Sequence, residues 1–123
     1  MDSKLSGLIA CIIYCIKNKI SNIGEVVIFD NSSNKILMYG GNYDYNNQRF
    51  KIFDYNRNSI IIGRNSQFID SKNNEFFTFR LTGMVFKGFV TSQLLSFSGS
   101  IIGNKVTIIF SDKHYIFECR QTE

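Results

Sequence analysis

Basic and aromatic residues are concentrated between positions 43 and 64 of this 123-residue chain. The candidates for binding chemistry there are Tyr43, Tyr45, Arg49, Lys51, Arg57 and Arg64. A guanidinium fork binds phosphate or carboxylate oxygens, and a tyrosine ring offers a face on which a base can stack. The segment therefore predicts a site for a nucleotide, a nucleic acid or another anionic ligand. Salt bridges to Asp44, Asp54 and Asp70 are the alternative use of these arginines.

A single histidine, His114, limits the catalytic chemistry that the chain can hold. A serine triad would need His114 as its base, and no serine lies in a strand–turn–helix elbow. Cys119 lies five positions further on, so on one strand its side chain and that of His114 leave opposite faces of the sheet. The spacings of cysteines and carboxylates fit neither a zinc nor a calcium site. We therefore expect no catalytic residue, no metal and no cofactor, and a protein that is not an enzyme.

The composition is that of one globular domain over residues 1–123. The chain is 44% hydrophobic with a formal net charge of +4. This length and apolar content are sufficient for a hydrophobic core and exclude a mainly disordered chain. The charge is modest for a dedicated nucleic-acid binder. The bias toward asparagine, isoleucine, lysine, phenylalanine and tyrosine is typical of an AT-rich genome, which suggests an accessory protein of a phage or other mobile element, or of virulence.

The three cysteines, Cys11, Cys15 and Cys119, predict reduced core thiols. An odd number argues against a secreted disulfide framework, and two cysteines one helical turn apart have poor disulfide geometry. The apolar run over residues 8–16 is shorter than the roughly 20 residues of a membrane span. No small-x-small cleavage pattern follows it. We expect a cytoplasmic protein with no membrane span, and export is the alternative.

The elements that must position these residues begin with a helix over about residues 3–20. Its apolar residues recur at intervals of three and four, Ser3 can cap its start, and Gly24 suits the positive φ near a helix end. The apolar surface is wider than one stripe, so the helix needs cover on more than its sheet-facing side. We expect a homodimer, with an interface formed by Leu8, Cys11, Ile12 and Cys15.

From about residue 25 to 120 the chain predicts strands separated by polar turns. The predicted strands are 25–30, 35–39, 49–54, 59–64, 75–81, 84–90, 95–102, 105–111 and 114–120. Gly40-Gly41 should end the second strand, and residues 65–74 should form a loop. Because no helical period lies between the strands, they should form an antiparallel meander. The fold class is α+β, mainly antiparallel β, with the N-terminal helix packed on a strongly bent meander sheet or a partial β-barrel.

A weak internal repeat runs through these strands. Residues 27–30, 51–54 and 108–111 have similar sequences, and each precedes a polar turn and an apolar return strand. Either ordinary hairpins look alike, or one hairpin unit was duplicated.

Several strands are apolar on both faces. Isoleucines follow one another at positions 60–62, 101–102 and 108–109. Such strands need cover on both faces, from the same chain or from a partner. Together with the missing catalytic residues, this surface predicts a small non-enzymatic interaction module that inhibits, neutralises or escorts a protein partner. Binding of a nucleotide, nucleic acid or other anion by the Arg/Tyr segment is the alternative function.

Overall fold

The computed structural model describes residues 2–122, and its first element is helix α1, Ser3–Asn18. The Asp2 carboxylate accepts the backbone N–H of Leu5 at 2.9 Å, so Asp2 rather than Ser3 caps the helix. Lys19 adopts a left-handed conformation with φ 52° directly after the last helical residue. The stop therefore comes at Lys19 and not at Gly24. The helix has 16 residues, and no helix of the described chain has the length and hydropathy of a membrane span.

Ten antiparallel strands follow the helix. They are β1 Val26–Asp30, β2 Lys35–Asp44, β3 Arg49–Asp54, β4 Ser59–Arg64, β5 Gln67–Asp70, β6 Glu75–Thr82, β7 Val85–Val90, β8 Leu95–Ile102, β9 Lys105–Phe110 and β10 Lys113–Gln121. Short 3₁₀ turns occupy Ile23–Glu25 and Thr91–Gln93. Each strand pairs with the next along the chain, and β1 pairs with β10 from Val26–Gln121 to Asp30–Phe117. This closes the barrel, and it confirms the predicted meander with an N-terminal helix.

Helix α1 lies inside the barrel. Every residue from Leu5 to Cys15 is buried, on all sides of the helix. The helix packs most closely against β1, β2, β9 and β10. We call the end of the barrel where α1 begins the base, and the end where α1 finishes the mouth. At the mouth, the Lys17 ammonium donates to the Gly83 carbonyl in the β6–β7 turn at 3.1 Å.

The second strand is longer than predicted. It continues through Gly40 and Gly41 to Asp44, pairing first with β1 and then with β3. Gly41 has a φ of 105°, and a β-carbon there would clash with the Lys51 carbonyl of β3. Gly41 therefore permits a close approach between β2 and β3, and the glycine pair does not end β2.

The predicted loop over residues 65–74 contains a strand. Asn65 and Ser66 both have positive φ and form a two-residue turn that joins β4 to β5. Phe68 of β5 is fully buried, in register with Phe77 of β6. Polar residues flank this short strand in the sequence, so residues 65–74 were predicted to form a loop.

Three loops at the base repeat one pattern. Each begins with an aspartate and ends four residues later with an asparagine in the left-handed region, in the pairs Asp30 and Asn34, Asp54 and Asn58, and Asp70 and Asn74. Each aspartate accepts a backbone N–H from within its own loop. Residues 27–30 and 51–54 precede such loops as expected, but the third equivalent segment is 67–70. Residues 108–111 lead instead into a tight turn at Ser111.

Candidate functional site

The four helix residues predicted to form a dimer interface are enclosed by the barrel. Leu8, Cys11, Ile12 and Cys15 are each at most 1% exposed in the single chain. The strands surround the side of the helix that we expected to remain free, so these side chains cannot reach a second copy. The predicted location of the interface is thereby corrected. The homodimer itself stays a prediction.

The cysteines are buried free thiols, as predicted. A hydrogen bond with Cys15, together with burial, raises the pKa of Cys11 well above its ordinary value. Burial raises the pKa of Cys119 to about 12. His114 is exposed on the other face of β10. Within residues 2–122, no group of three or more histidine, cysteine or carboxylate side chains is arranged to hold a metal ion.

Arg57 belongs to a buried ion-pair cluster at the base and not to an anion site. Its Nε lies 3.0 Å from Asp54 Oδ2, its Nη1 lies 2.7 Å from Glu75 Oε1, and its Nη2 lies 3.5 Å from Asp70 Oδ2. The Asp54 and Asp70 side chains have no exposed surface. All ion pairs found in the described chain involve Arg57. Its charge is therefore already neutralised, which corrects its place among the predicted ligand-binding residues.

Burial, hydrogen bonds and neighbouring charges shift the pKa values of Asp70, Glu75 and Arg57 in this cluster. Burial alone would raise the pKa of Asp70, but hydrogen bonds from Asn73 and Ser59 and the charge of Arg57 lower it. Burial raises the pKa of Glu75, and the hydrogen bond from Arg57 only partly opposes this shift. Burial would also lower the pKa of Arg57, but its hydrogen bonds to Glu75 and Asp54 raise it. The cluster therefore ties the β3–β4 loop to the start of β6.

The two predicted tyrosines lie at the mouth. Tyr43 points into the barrel and stacks on Phe50, with ring centroids 4.1 Å apart. Tyr45 is 45% exposed, and the Lys19 ammonium lies 5.9 Å from its ring centroid. Neither ring lines the groove that the remaining predicted residues form.

Arg49, Lys51 and Arg64 do come together, on the outer face of β3 and β4. Arg49 is directly opposite Arg64 in the register, and Lys51 is opposite Ile62. They line a groove of about 460 Å³ whose other walls include Asn42 and Asp44 of β2. None of the three makes an ion pair among the described residues. We call these three residues the cationic row.

An exposed apolar stripe lies beside the cationic row, toward the base. It consists of Phe53, Ile60, Ile62, Ile69 and Phe76. Phe53 is opposite Ile60, Ile62 is opposite Ile69, and Ile69 is opposite Phe76, while Ile60 and Ile62 are successive outward residues of β4. The last four members are between 39% and 52% exposed. The Lys51 ammonium lies 5.7 Å from the Phe53 ring centroid and joins the row to the stripe. We call the row and the stripe together the amphipathic face.

The apolar stripe was not predicted from the sequence. The run of isoleucines at 60–62 was the available signal, because alternate positions of a strand face opposite sides. Ile69 was hidden in the predicted loop, and its register with Phe76 depends on β5.

Other faces of the barrel are built differently. On β8, Ser96, Ser98 and Ser100 occupy consecutive outward positions, as expected for a solvated sheet. On β9 and β10, Lys105 is opposite Glu118, a favourable pair. The outward residues of β3 to β7 are all described, and none is a carboxylate. Exposed apolar residues also occur on β2, at Ile36 and Met38, but the amphipathic face is where such residues lie beside the cationic row.

Comparisons with protein-family models, curated proteins and solved structures find no match to this chain. Its function is therefore inferred from the amphipathic face itself.

Proposed function

We propose that the protein is a non-enzymatic interaction module that binds an acidic protein partner through the amphipathic face. The observation that carries this proposal is Arg49 directly opposite Arg64, beside the exposed apolar stripe. Like charges directly opposite each other destabilise an antiparallel sheet. Arg80 and Lys87 form a second such pair on β6 and β7. Carboxylates of a partner would relieve this repulsion.

The apolar stripe favours a protein over a small anion. Five adjacent apolar side chains on one outer face exceed the scattered hydrophobic residues of an ordinary surface, and such patches mark interaction sites. A phosphate ligand gains little from Ile60 or Ile69. A protein partner buries the stripe, while charges at the edge set its orientation and its rate of association.

The closed barrel restricts how a partner can dock. Every strand of the described chain has a neighbour on both sides, so an incoming strand finds no free edge to extend. A partner must therefore bind through its side chains. In a symmetric contact a second copy would bring the same cations against each other, which disfavours self-association through this face.

Binding of a nucleotide, nucleic acid or other anion is the second candidate function. It is favoured by three cations that line one groove and form no ion pair with any residue that the structure describes, although Asp44 is opposite Arg49 in the register. Arginine pairs bind phosphate oxygens in such an arrangement. A phosphate-dominated complex would weaken steeply with salt and depend little on the apolar stripe.

Affinity capture from the native host tests the proposal with three baits. These are the unmodified protein, Ile62→Glu on the amphipathic face, and Ser96→Glu on β8. Both substitutions place one carboxylate at an exposed outward strand position. We expect an acidic protein to be retained by the unmodified bait and by Ser96→Glu, and lost with Ile62→Glu. Equal retention by all three baits would argue against the amphipathic face, and retention of nucleic acid alone would favour the second candidate.

A further inference from the structure

The mouth of the barrel contains a second concave feature, which the amphipathic face does not include. It is a cavity of about 200 Å³ between the end of α1 and the loops that follow β2 and β4. Its walls are formed by the buried or half-buried side chains of Ile16, Tyr43, Phe50 and Phe68, and its rim by the exposed residues Tyr45, Gln48 and Ser66. We call it the mouth pocket.

Ring packing fixes the walls of the mouth pocket. Tyr43 stacks on Phe50 with an angle of 8° between the ring planes. Phe50 in turn contacts Phe68 at 5.4 Å between centroids, and Phe68 stacks on Phe77 and Phe79. A pocket formed by mutually packed rings is preorganised, so little conformational entropy is lost when a ligand enters.

The volume of the mouth pocket sets the size of its occupant. Pockets for drug-sized molecules have about 300–1,000 Å³, which is larger than this cavity. An apolar cavity of about 150 Å³ is large enough to bind benzene. One aromatic ring therefore fits the mouth pocket.

The cation beside the mouth pocket favours an acidic occupant. The Lys19 ammonium lies 5.9 Å from the ring centroid of Tyr45. Arg49 begins β3 on the outer face and is opposite the Asp44 carboxylate, which also accepts hydrogen bonds from Asn46 and Asn47, so Lys19 is the cation that would meet the acidic group. Phe50 lines both the groove of the cationic row, on the outer face, and the mouth pocket, on the inner face, so the two features adjoin each other at the start of β3.

We propose that the mouth pocket is an anchor site for one aromatic side chain of the protein partner, next to an acidic group of that partner. This inference rests on the proposed function, because the same partner would cover the amphipathic face and insert the ring. Buried aromatic anchors at the centre of a contact commonly contribute most of its affinity.

A nuclear magnetic resonance titration of the ¹⁵N-labelled protein tests the pocket without any partner. The probe is N-acetylphenylalanine, which carries one ring and one carboxylate. We expect shifts at the amides of residues 48–50 and 66–68, and affinity about tenfold weaker in Tyr45→Ala. Tyr55→Ala is the matched control, because Tyr55 is exposed and follows Asp54 in a loop at the base. It should bind the probe like the unmodified protein.

Three results would overturn the inference. The first is no shift at these amides, the second is the same response in Tyr45→Ala, and the third is the same shifts with acetate alone. Because the titration contains no partner, these results are independent of the capture experiment with Ile62→Glu. If the probe binds but the captured partner has the same affinity for Tyr45→Ala, the pocket stands as a site and the partner's ring is excluded as its occupant.

Discussion

At the scale of single residues, Arg57 determines how the base of the barrel is held together. Its guanidinium contacts carboxylates at the last residues of β3 and β5 and at the first residue of β6, and two of these carboxylates are completely buried. A buried carboxylate is stable only when it is paired and hydrogen-bonded. The position of Arg57 in the sequence, between Arg49 and Arg64, predicted one shared site. Arg57 lies instead in the β3–β4 loop, at the opposite end of the hairpin from Arg49 and Arg64.

Arg57→Ala is expected to lower the free energy of unfolding by about 3–5 kcal/mol, because it leaves buried carboxylates without a counterion. Urea denaturation measures this loss. Arg57→Lys keeps the positive charge but loses the guanidinium fork, so its free energy of unfolding should lie between those of Arg57→Ala and the unmodified protein. Arg64→Ala, at an exposed position, should change the free energy by no more than about 0.5 kcal/mol. A similar loss for Arg57→Ala and Arg64→Ala would contradict the assignment.

Cys119 predicts a loss of stability at alkaline pH. Burial raises its pKa from 9.0 to about 12, so the unfolded chain loses this proton before the folded protein does. Its contribution is fully present below about pH 9 and is lost as the pH rises toward about 12. The free energy of unfolding should therefore fall less steeply above pH 9 in Cys119→Ala than in the unmodified protein. Parallel curves from pH 8 to 11 would refute this prediction.

At the scale of elements, the sequence predicts the periodic segments well and the irregular ones poorly. The helix and nine strands are recognisable because their apolar periods are long. Gly40-Gly41 was misread, because a glycine pair has the same appearance at a strand end and at a close approach of two strands. β5 is only four residues long, too short for a reliable period. The amphipathic face depends on the register of β5, and therefore could not be assembled from the sequence.

Gly41→Ala should destabilise the protein by more than Gly83→Ala. Both glycines have positive φ, but only at Gly41 would a β-carbon clash, with the Lys51 backbone. Gly83 has open space around it, so its substitution should cost only the conformational strain of about 1–2 kcal/mol. Thermal unfolding of the two variants measures the difference. Equal losses would mean that β2 and β3 do not approach closely at this point.

The like-charge pair of Arg49 and Arg64 on the amphipathic face is expected to lower the free energy of unfolding. Arg64→Glu should raise the free energy of unfolding by about 0.2–1 kcal/mol, because it replaces repulsion with an attractive pair opposite Arg49. Lys105→Glu is the matched control, since it creates repulsion opposite Glu118 and should lower stability by a similar amount. Denaturant melts at low salt give both values. A loss of stability in Arg64→Glu would show that its positive charge has a structural role.

At the scale of the whole molecule, the closed barrel separates a filled interior from an unevenly built surface. The helix occupies the inside, and the strand backbones are paired all round. Among the outer faces of the described strands, β8 is lined with serine, whereas β3 to β6 combine exposed apolar side chains with a row of cations in which Arg49 is opposite Arg64 on one side and Asp44 on the other. The acidic protein partner that we propose for that face would satisfy both features. The cytoplasmic location and the homodimer remain predictions.

The most direct measurement is the affinity of the captured partner for the unmodified protein, Ile62→Glu and Ser96→Glu, by titration calorimetry. Ile62 lies in the apolar stripe opposite Lys51, so a carboxylate there removes apolar contact and lowers the positive charge of the groove. We predict a dissociation constant about 30-fold higher for Ile62→Glu, which corresponds to about 2 kcal/mol, and a change of less than about twofold for Ser96→Glu. Equal affinities of all three proteins, or a larger loss with Ser96→Glu, would contradict docking on the amphipathic face.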